Sequence, residues 1–202
     1  MKLILKILVI WPINNISKLY HYLYNYLVLK LKKIEYSDIP NVKGKLFISN
    51  SGRCVLGKKL IFNSALTSNF VGLTKPCTIA VQKDAQLIIG NYTGFSGVSI
   101  FCSESITIGD YVNFGGNVSV WDTDFHPLYF KDRRIHNINK INSAPIIIED
   151  DVFIGAHSII LKGVIIGARA VIGAGSIVTK NIPADEIWAG NPAKFIRKNN
   201  IV

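Results

Sequence analysis

From residue 148 onward one aliphatic side chain recurs at every sixth position: Ile148, Ile154, Ile160, Ile166, Ile172 and Val178. Four positions beyond each stand Val152, Ser158, Val164, Ala170, Ser176 and Ile182, all small or β-branched. A period of six fits neither an α-helix nor a long flat strand. It fits a chain that coils in short strands, each closed by a tight turn, with one large apolar residue pointing inward per face. Gly155, Gly167 and Gly173 follow members of the series and supply turn conformations that β-branched residues resist. Stacked coils pair their backbones at about 4.8 Å and bury a continuous core. Three faces per coil make a triangular prism.

The same pattern runs earlier through Ile89, Phe95 and Phe101, slips by one residue, and resumes at Ile108, Phe114 and Val120. Before residue 89 it blurs, although "KLFISNSGRCVLGKKLIFN" and "CTIAVQKDAQLIIG" still read as degenerate coils. The spacing leaves the hand of the coil open, and the general rule for crossovers favours the right hand.

Two segments stand outside the period. Val120 and Ile148 are 28 positions apart, four more than a multiple of six, so residues 121–145 leave the coil as a long loop. Residues 1–35 differ in character from the rest. Their first apolar run is broken by Lys6 and ended by Pro12, short of the roughly 20 residues a spanning helix needs. No small-residue cleavage site follows it. A helical pattern comes next, with Ile16, Leu19, Tyr20, Leu23, Tyr24, Leu27 and Leu31 on one stripe. Asn15 or Ser17 can cap its start, and Lys30, Lys32 and Lys33 suit its negative end. No acid precedes Glu35. Two readings stand: a helix lying on an anionic membrane surface, or one packed on the main domain or a neighbouring subunit.

The chain of 202 residues thus divides into a helical segment open to either of those readings (1–35), a β-helix domain with its long loop (36–190) and a basic C-terminal tail (191–202). A net charge of +10 points to an anionic partner. Without a helix-turn-helix pattern, zinc-finger spacing or RNP-like strand, that partner is a phosphate-bearing small molecule or a membrane rather than nucleic acid. Cys54, Cys77 and Cys102 are odd in number and form no CxxC pair, which reads as small buried residues in a reducing compartment.

The loop opens with "WDTDFHPLYF", residues 121–130. Loops this long are usually functional or disordered, and Trp121, Tyr129 and Phe130 argue against disorder. Imidazole is the base whose ordinary pKa lies nearest neutrality, and Pro127 fixes the chain direction at His126. Asp122 or Asp124 can accept from the other ring nitrogen and set the tautomer. Trp121 and Tyr129 are the candidates for acceptor contact. His136 and His157 read as a loop and a turn residue, and His21 belongs to the N-terminal helix.

Residues 154–198, "IGAHSIILKGVIIGARAVIGAGSIVTKNIPADEIWAGNPAKFIRK", resemble the hexapeptide-repeat acyltransferases, and more narrowly their sugar and polysaccharide O-acetyltransferases. "VIGAGSIVTKNIP" and "AGNPAKFIRK" are the most specific pieces. The resemblance implies an all-β fold, a left-handed parallel β-helix, against the general handedness rule. It also implies a homotrimer with acetyl-CoA bound as acyl donor in grooves between prisms. It carries the general-base role to His126 and the oxyanion-binding backbone N–H to Ala156. It carries coenzyme A contact to Ala174, Thr179 and Lys180, with Lys194 and Arg197 positioned for the phosphates.

Acetyl-CoA is already activated, so the missing element is a nucleophile. One base suffices, worth roughly 10²–10⁴-fold, and no covalent intermediate is needed. The expected activity is acetyl transfer to a sugar hydroxyl in a surface polysaccharide or its lipid-linked precursor, in the cytoplasm or on the cytoplasmic face of the inner membrane. An amino-sugar N-acetyltransferase and a non-enzymatic carbohydrate-binding solenoid are the alternatives. A zinc carbonic anhydrase on the same scaffold needs a close His pair that this chain lacks, and no metal is expected. A nucleotidyltransferase is not expected, since no Gly-rich nucleotide-binding stretch is read ahead of the repeats.

Overall fold

A computed structural model describes residues 11–199. Helix α1 spans Trp11–Leu31. The first coil follows as β1 (Glu35–Tyr36), β2 (Asn41–Lys43) and β3 (Phe47–Asn50). The second is β4 (Arg53–Leu56), β5 (Ile61–Asn63) and β6 (Thr78–Val81). The third is β7 (Gln86–Ile89), β8 (Gly94–Ser96) and β9 (Ser99–Cys102). The fourth is β10 (Ser105–Ile108), β11 (Asn113–Gly116) and β12 (Ser119–Trp121). A loop bearing α2 (Phe130–Arg134) and a 3-10 turn (Ile138–Lys140) intervenes. The fifth coil is β13 (Ile146–Ile148), β14 (Phe153–Ile154) and β15 (Ile159–Leu161). The sixth is β16 (Ile165–Ile166), β17 (Val171–Ile172) and β18 (Ile177–Val178). Strands β19 (Glu186–Ala189) and β20 (Lys194–Lys198) finish the chain.

Every third strand pairs, which gives three faces: β1-β4-β7-β10-β13-β16, β2-β5-β8-β11-β14-β17-β19-β20, and β3-β6-β9-β12-β15-β18. All pairings are parallel except β19 with β20. The six-spaced residues from Ile148 to Val178 are at most 1% exposed, and their small partners from Val152 to Ile182 at most 2%. Side chains of this size are worth about 1.5–3 kcal/mol each when fully buried. Lower in the prism the column turns aromatic, with Phe62, Phe95 and Phe114 stacked at 4.6 and 4.9 Å.

Three details differ from the sequence pattern. Ile100, not Phe101, is the inward residue of β9: it is 2% exposed and stands in register with buried Val120 of β12 on the same face. Phe101 therefore points outward. The slip falls at β8, where the register with β11 shifts. The turns are also not made by glycine alone. Tyr111, Asp151, Arg169 and Asp185 occupy left-handed backbone at one corner, and Asn117 and His157 at another. Gly155 and Gly167 instead answer to crowding. A Cβ there would stand 2.4 Å from the N atom of Ala174 or Ala184 in the next coil. Finally, Asn15 and Ser17 lie inside α1 rather than at its start.

The ends of the prism are closed. Leu29 of α1 joins the core, and Asn25 satisfies the backbone of the first coil. Its amide donates to Gly44 O at 2.9 Å, and its carbonyl accepts from Leu46 N–H at 2.9 Å. At the other end, the basic stretch after residue 190 contributes β20, which pairs along β19 instead of hanging free.

Candidate active site

The long loop leaves the prism at the corner between the third and first faces. Its stem is zipped by a bridge between Thr123 and Ser143 and by Asp124 N–H donating to Asn142 O at 3.0 Å. Asp122, fully buried, accepts from the backbone N–H of Ser103 at 2.6 Å and of Glu104 at 2.8 Å. Both its oxygens thus cap a turn of the coil below. Asp124 meets Lys162 Nζ at 2.5 Å, while its Oδ2 is buried with no hydrogen-bond partner among the described residues. Lys162 follows Leu161, which pairs with Trp121, so this cation is delivered by the next coil.

His126 is exposed, and the chain on either side of it is pinned. Before it, Phe125 sits in the left-handed region at φ +62°, a costly conformation for a bulky residue. Its ring packs edge-on to Phe101 at 4.8 Å and to Trp121 at 5.6 Å. After it, Pro127 is buried, and the Arg133 guanidinium donates to the carbonyls of Pro127 and Leu128. Tyr129 packs on Phe130 at 5.1 Å, half exposed. A cleft of about 410 Å³ opens beside the stem, lined by Phe101, Phe125, Ile138 and Ile141 with Lys83 and Ser103 among its polar groups.

The other site candidates lie elsewhere on the prism. Ala156 and Ala174 occupy successive turns at the corner between the second and third faces. Gly175 N–H donates to Ala156 O at 2.8 Å, and Ala156 N–H has no hydrogen-bond partner among the described residues. Thr179 and Lys180 follow β18 at the loop's own corner, both exposed. Lys194 and Arg197 are exposed on β20, opposite Ala189 and Ile187. The loop carrying His126 and the turn carrying Ala156 are therefore set at two different corners of one prism.

Several residues here escaped the sequence reading. Lys162 lies in a repeat and nothing in the period marks it. Phe101 stands in the six-residue series like a core residue, and nothing in the loop's sequence marks Arg133. Residues 64–77 form a second excursion, at the Ala156 corner, hidden where the repeat blurs. Its Phe70 is 98% exposed, and its Lys75 donates to Ser119 Oγ at 2.9 Å. Burial holds the Lys75 amine below the usual lysine range. Among the described residues no three His, Cys, Asp or Glu side chains gather as metal ligands.

Residues 145–180 match the family described as hexapeptide repeat of succinyl-transferase. Over 109 residues the chain is 41% identical to the galactoside O-acetyltransferase of Escherichia coli strain K12, a match covering 54% of this chain and 51% of that one. The crystal structure of the polySia specific acetyltransferase NeuO superposes with a TM-score of 0.57 at 30% identity, covering 83% of this chain and 75% of that one. The chain belongs to the hexapeptide-repeat acetyltransferases. Its prism is accordingly the left-handed parallel β-helix that the resemblance implied. A hexapeptide-repeat-containing acetyltransferase of Vibrio cholerae, complexed with acetyl coenzyme A, matches at TM-score 0.52 and 35% identity over 57% of this chain and 61% of that one. The matched segment spans about half the length of the curated relatives, 43% and 51% for the first two.

Proposed function

We propose that this hexapeptide-repeat protein transfers an acetyl group from acetyl-CoA to a hydroxyl of a sugar, with His126 as general base. The observation that carries the reading is the double pinning of His126. A strained aromatic anchor precedes it and an arginine-held backbone follows it, yet the imidazole itself stays open to a substrate. The relatives support the chemistry: one is named a galactoside O-acetyltransferase, one a polySia specific acetyltransferase, and one was crystallised with acetyl coenzyme A.

The sugar hydroxyl gives its proton to a ring nitrogen of His126 as its oxygen attacks the thioester carbonyl. The Ala156 N–H holds the oxyanion of the tetrahedral intermediate. That intermediate collapses with loss of the coenzyme A thiolate, which takes the proton from the imidazolium. Asp124 is the better carboxylate partner for the second ring nitrogen, because both oxygens of Asp122 are committed to backbone N–H groups. Loop and Ala156 turn, at different corners, come together when a second copy presents its corner to the loop. A closed threefold does this three times over. Ala174, Thr179 and Lys180 then border the donor, Lys194 and Arg197 face its phosphates, and Trp121 and Tyr129 meet the acceptor.

The test is His126→Gln beside His126→Ala, with thiol release from acetyl-CoA measured across candidate sugars. Turnover falls at least ~10²-fold while coenzyme A binding and oligomeric state persist. Near-native turnover in both variants removes His126 from the chemistry.

A further inference from the structure

Helix α1 has two faces, and the one predicted from the sequence points away from the prism. Asn25 and Leu29 face inward, 5% and 1% exposed. On the opposite side Ile16, Leu23 and Leu27 form one line, 68%, 48% and 54% exposed, continued by Leu19 and Leu31. This arc is aliphatic at its centre and changes character at both edges. At 100° per residue, Tyr20 lies within the arc between Leu27 and Leu31, Tyr24 borders it on that side and Tyr26 on the other, and Lys30 lies between Leu19 and Leu23. Each border carries an ammonium over its rings. Lys45 of the first coil stands 4.9 and 5.1 Å from the rings of Tyr20 and Tyr24. Lys30 stands 5.8 Å from the ring of Tyr26.

We propose that the outward face of α1 docks on an anionic phospholipid bilayer, its aliphatic line in the acyl boundary and its tyrosine–lysine borders at headgroup level. The face suits an anionic bilayer better than a second copy of the chain, which would bring like positive charges together. A line of exposed aliphatic side chains with tyrosines and lysines around it matches the acyl boundary and headgroup layer of such a bilayer. Charge agrees: the helix has no acid, and Lys32 and Lys33 follow it directly. A cleft of about 680 Å³ between the helix and the first coil adds Lys18, His21 and Lys43 behind the tyrosine border. No described helix is long and apolar enough to cross a membrane, so this one lies on the surface.

Docking would set the His126 loop three strand steps above the first coil, from β3 through β6 and β9 to β12, or roughly 14 Å. A lipid-anchored acceptor would then reach it from below. That consequence rests on the transfer reading, whereas the docking does not.

The experiment uses the full chain and flotation with vesicles of phosphatidylcholine, with and without phosphatidylglycerol. The native protein floats with the anionic vesicles and poorly with the neutral ones. Leu23→Ser with Leu27→Ser abolishes flotation, and Lys30→Gln with Lys45→Gln weakens binding to anionic vesicles roughly tenfold. Sedimentation velocity shows an unchanged oligomer for both variants, and acetyl transfer to a soluble sugar stays native. Native protein that fails to float, or leucine variants that float equally well, overturns the proposal. Leucine variants that dissociate the oligomer identify the face as a subunit interface and overturn it too. Loss of transfer with flotation intact counts against the proposed chemistry alone.

Discussion

The ring of Phe125 meets that of Phe101 edge-on, 4.8 Å between centroids, although the backbone at Phe125 is left-handed at φ +62°. The two facts belong together. A left-handed aromatic costs about 1–3 kcal/mol and persists only where its surroundings hold it. Phe101 and Trp121, from successive coils of the third face, provide that hold. Phe101 can do so only because the repeat slips and turns it outward.

Two substitutions at Phe125 separate anchoring from strain. Phe125→Ala loses both ring contacts, each worth ~0.5–1.5 kcal/mol, and keeps the unfavourable backbone. Phe125→Gly loses the same contacts and relieves the backbone. Thermal melts should therefore rank the glycine variant above the alanine variant. Acetyl transfer should fall about tenfold or more in both, since a displaced base is costly even when intact. Native turnover in either variant would show that His126 is positioned without the anchor.

The contact between Lys162 and Asp124 makes a second prediction. The two side chains are 30% and 17% exposed, so the pair is partly desolvated. Lys162→Met strips Asp124 of its cation and leaves a half-buried carboxylate beside an already unpartnered oxygen. Fully buried pairs lose 3–5 kcal/mol on such a cut, and solvent reduces this to about 2 kcal/mol here. Adding Asp124→Asn to Lys162→Met should recover part of the loss in urea unfolding. Additive losses would mean that the ion pair is not what stabilises the loop stem.

The repeat was legible because burial is absolute on the inward face. The six-spaced residues from Ile148 to Val178 are all buried and aliphatic, so their period survives in the sequence, while the alternate positions also admit Ser158 and Ser176, whose hydroxyls donate to Gly173 O. The long loop was legible for the complementary reason, as the stretch where that constraint lapses. Turn chemistry was less readable. Left-handed corners accept Asp, Asn, Arg, Tyr and His here, which leaves no single residue type to find. The roles of Asp122 and Asp124 could not be separated either, because two residues of spacing say nothing about which carboxylate a neighbouring turn will claim. The stripe of α1 was seen but not its direction. Among the described residues of the helix only Asn25 and Leu29 are fully buried, and one of them is polar, while Val28 and Tyr24 pack at the edge of the contact.

Acid should loosen the C-terminal end. Asp185 accepts from Arg169 at 2.6 and 2.7 Å, and Glu186 from Lys198 at 2.6 Å and from the Trp188 indole at 2.8 Å. These donors hold both carboxyls below the usual carboxylate range. Asp110 is lowered in the same way by the Asn91 backbone and amide. Unfolded, such groups titrate near 4. Their stabilisation is therefore complete above that pH, and it drains away as pH falls toward the depressed folded values, where the unfolded chain takes up protons first. At the alkaline end the sign reverses. Burial pushes the Cys54 and Cys102 thiols up to about 12, so above about 8.5 the unfolded thiols ionise first and stability falls again. Melting temperature against pH should be a dome with both limbs. Glu186→Gln with Asp185→Asn should lower the plateau and flatten the acid limb, leaving the alkaline limb in place. An acid limb as steep in that variant as in the native protein would assign it to other carboxylates.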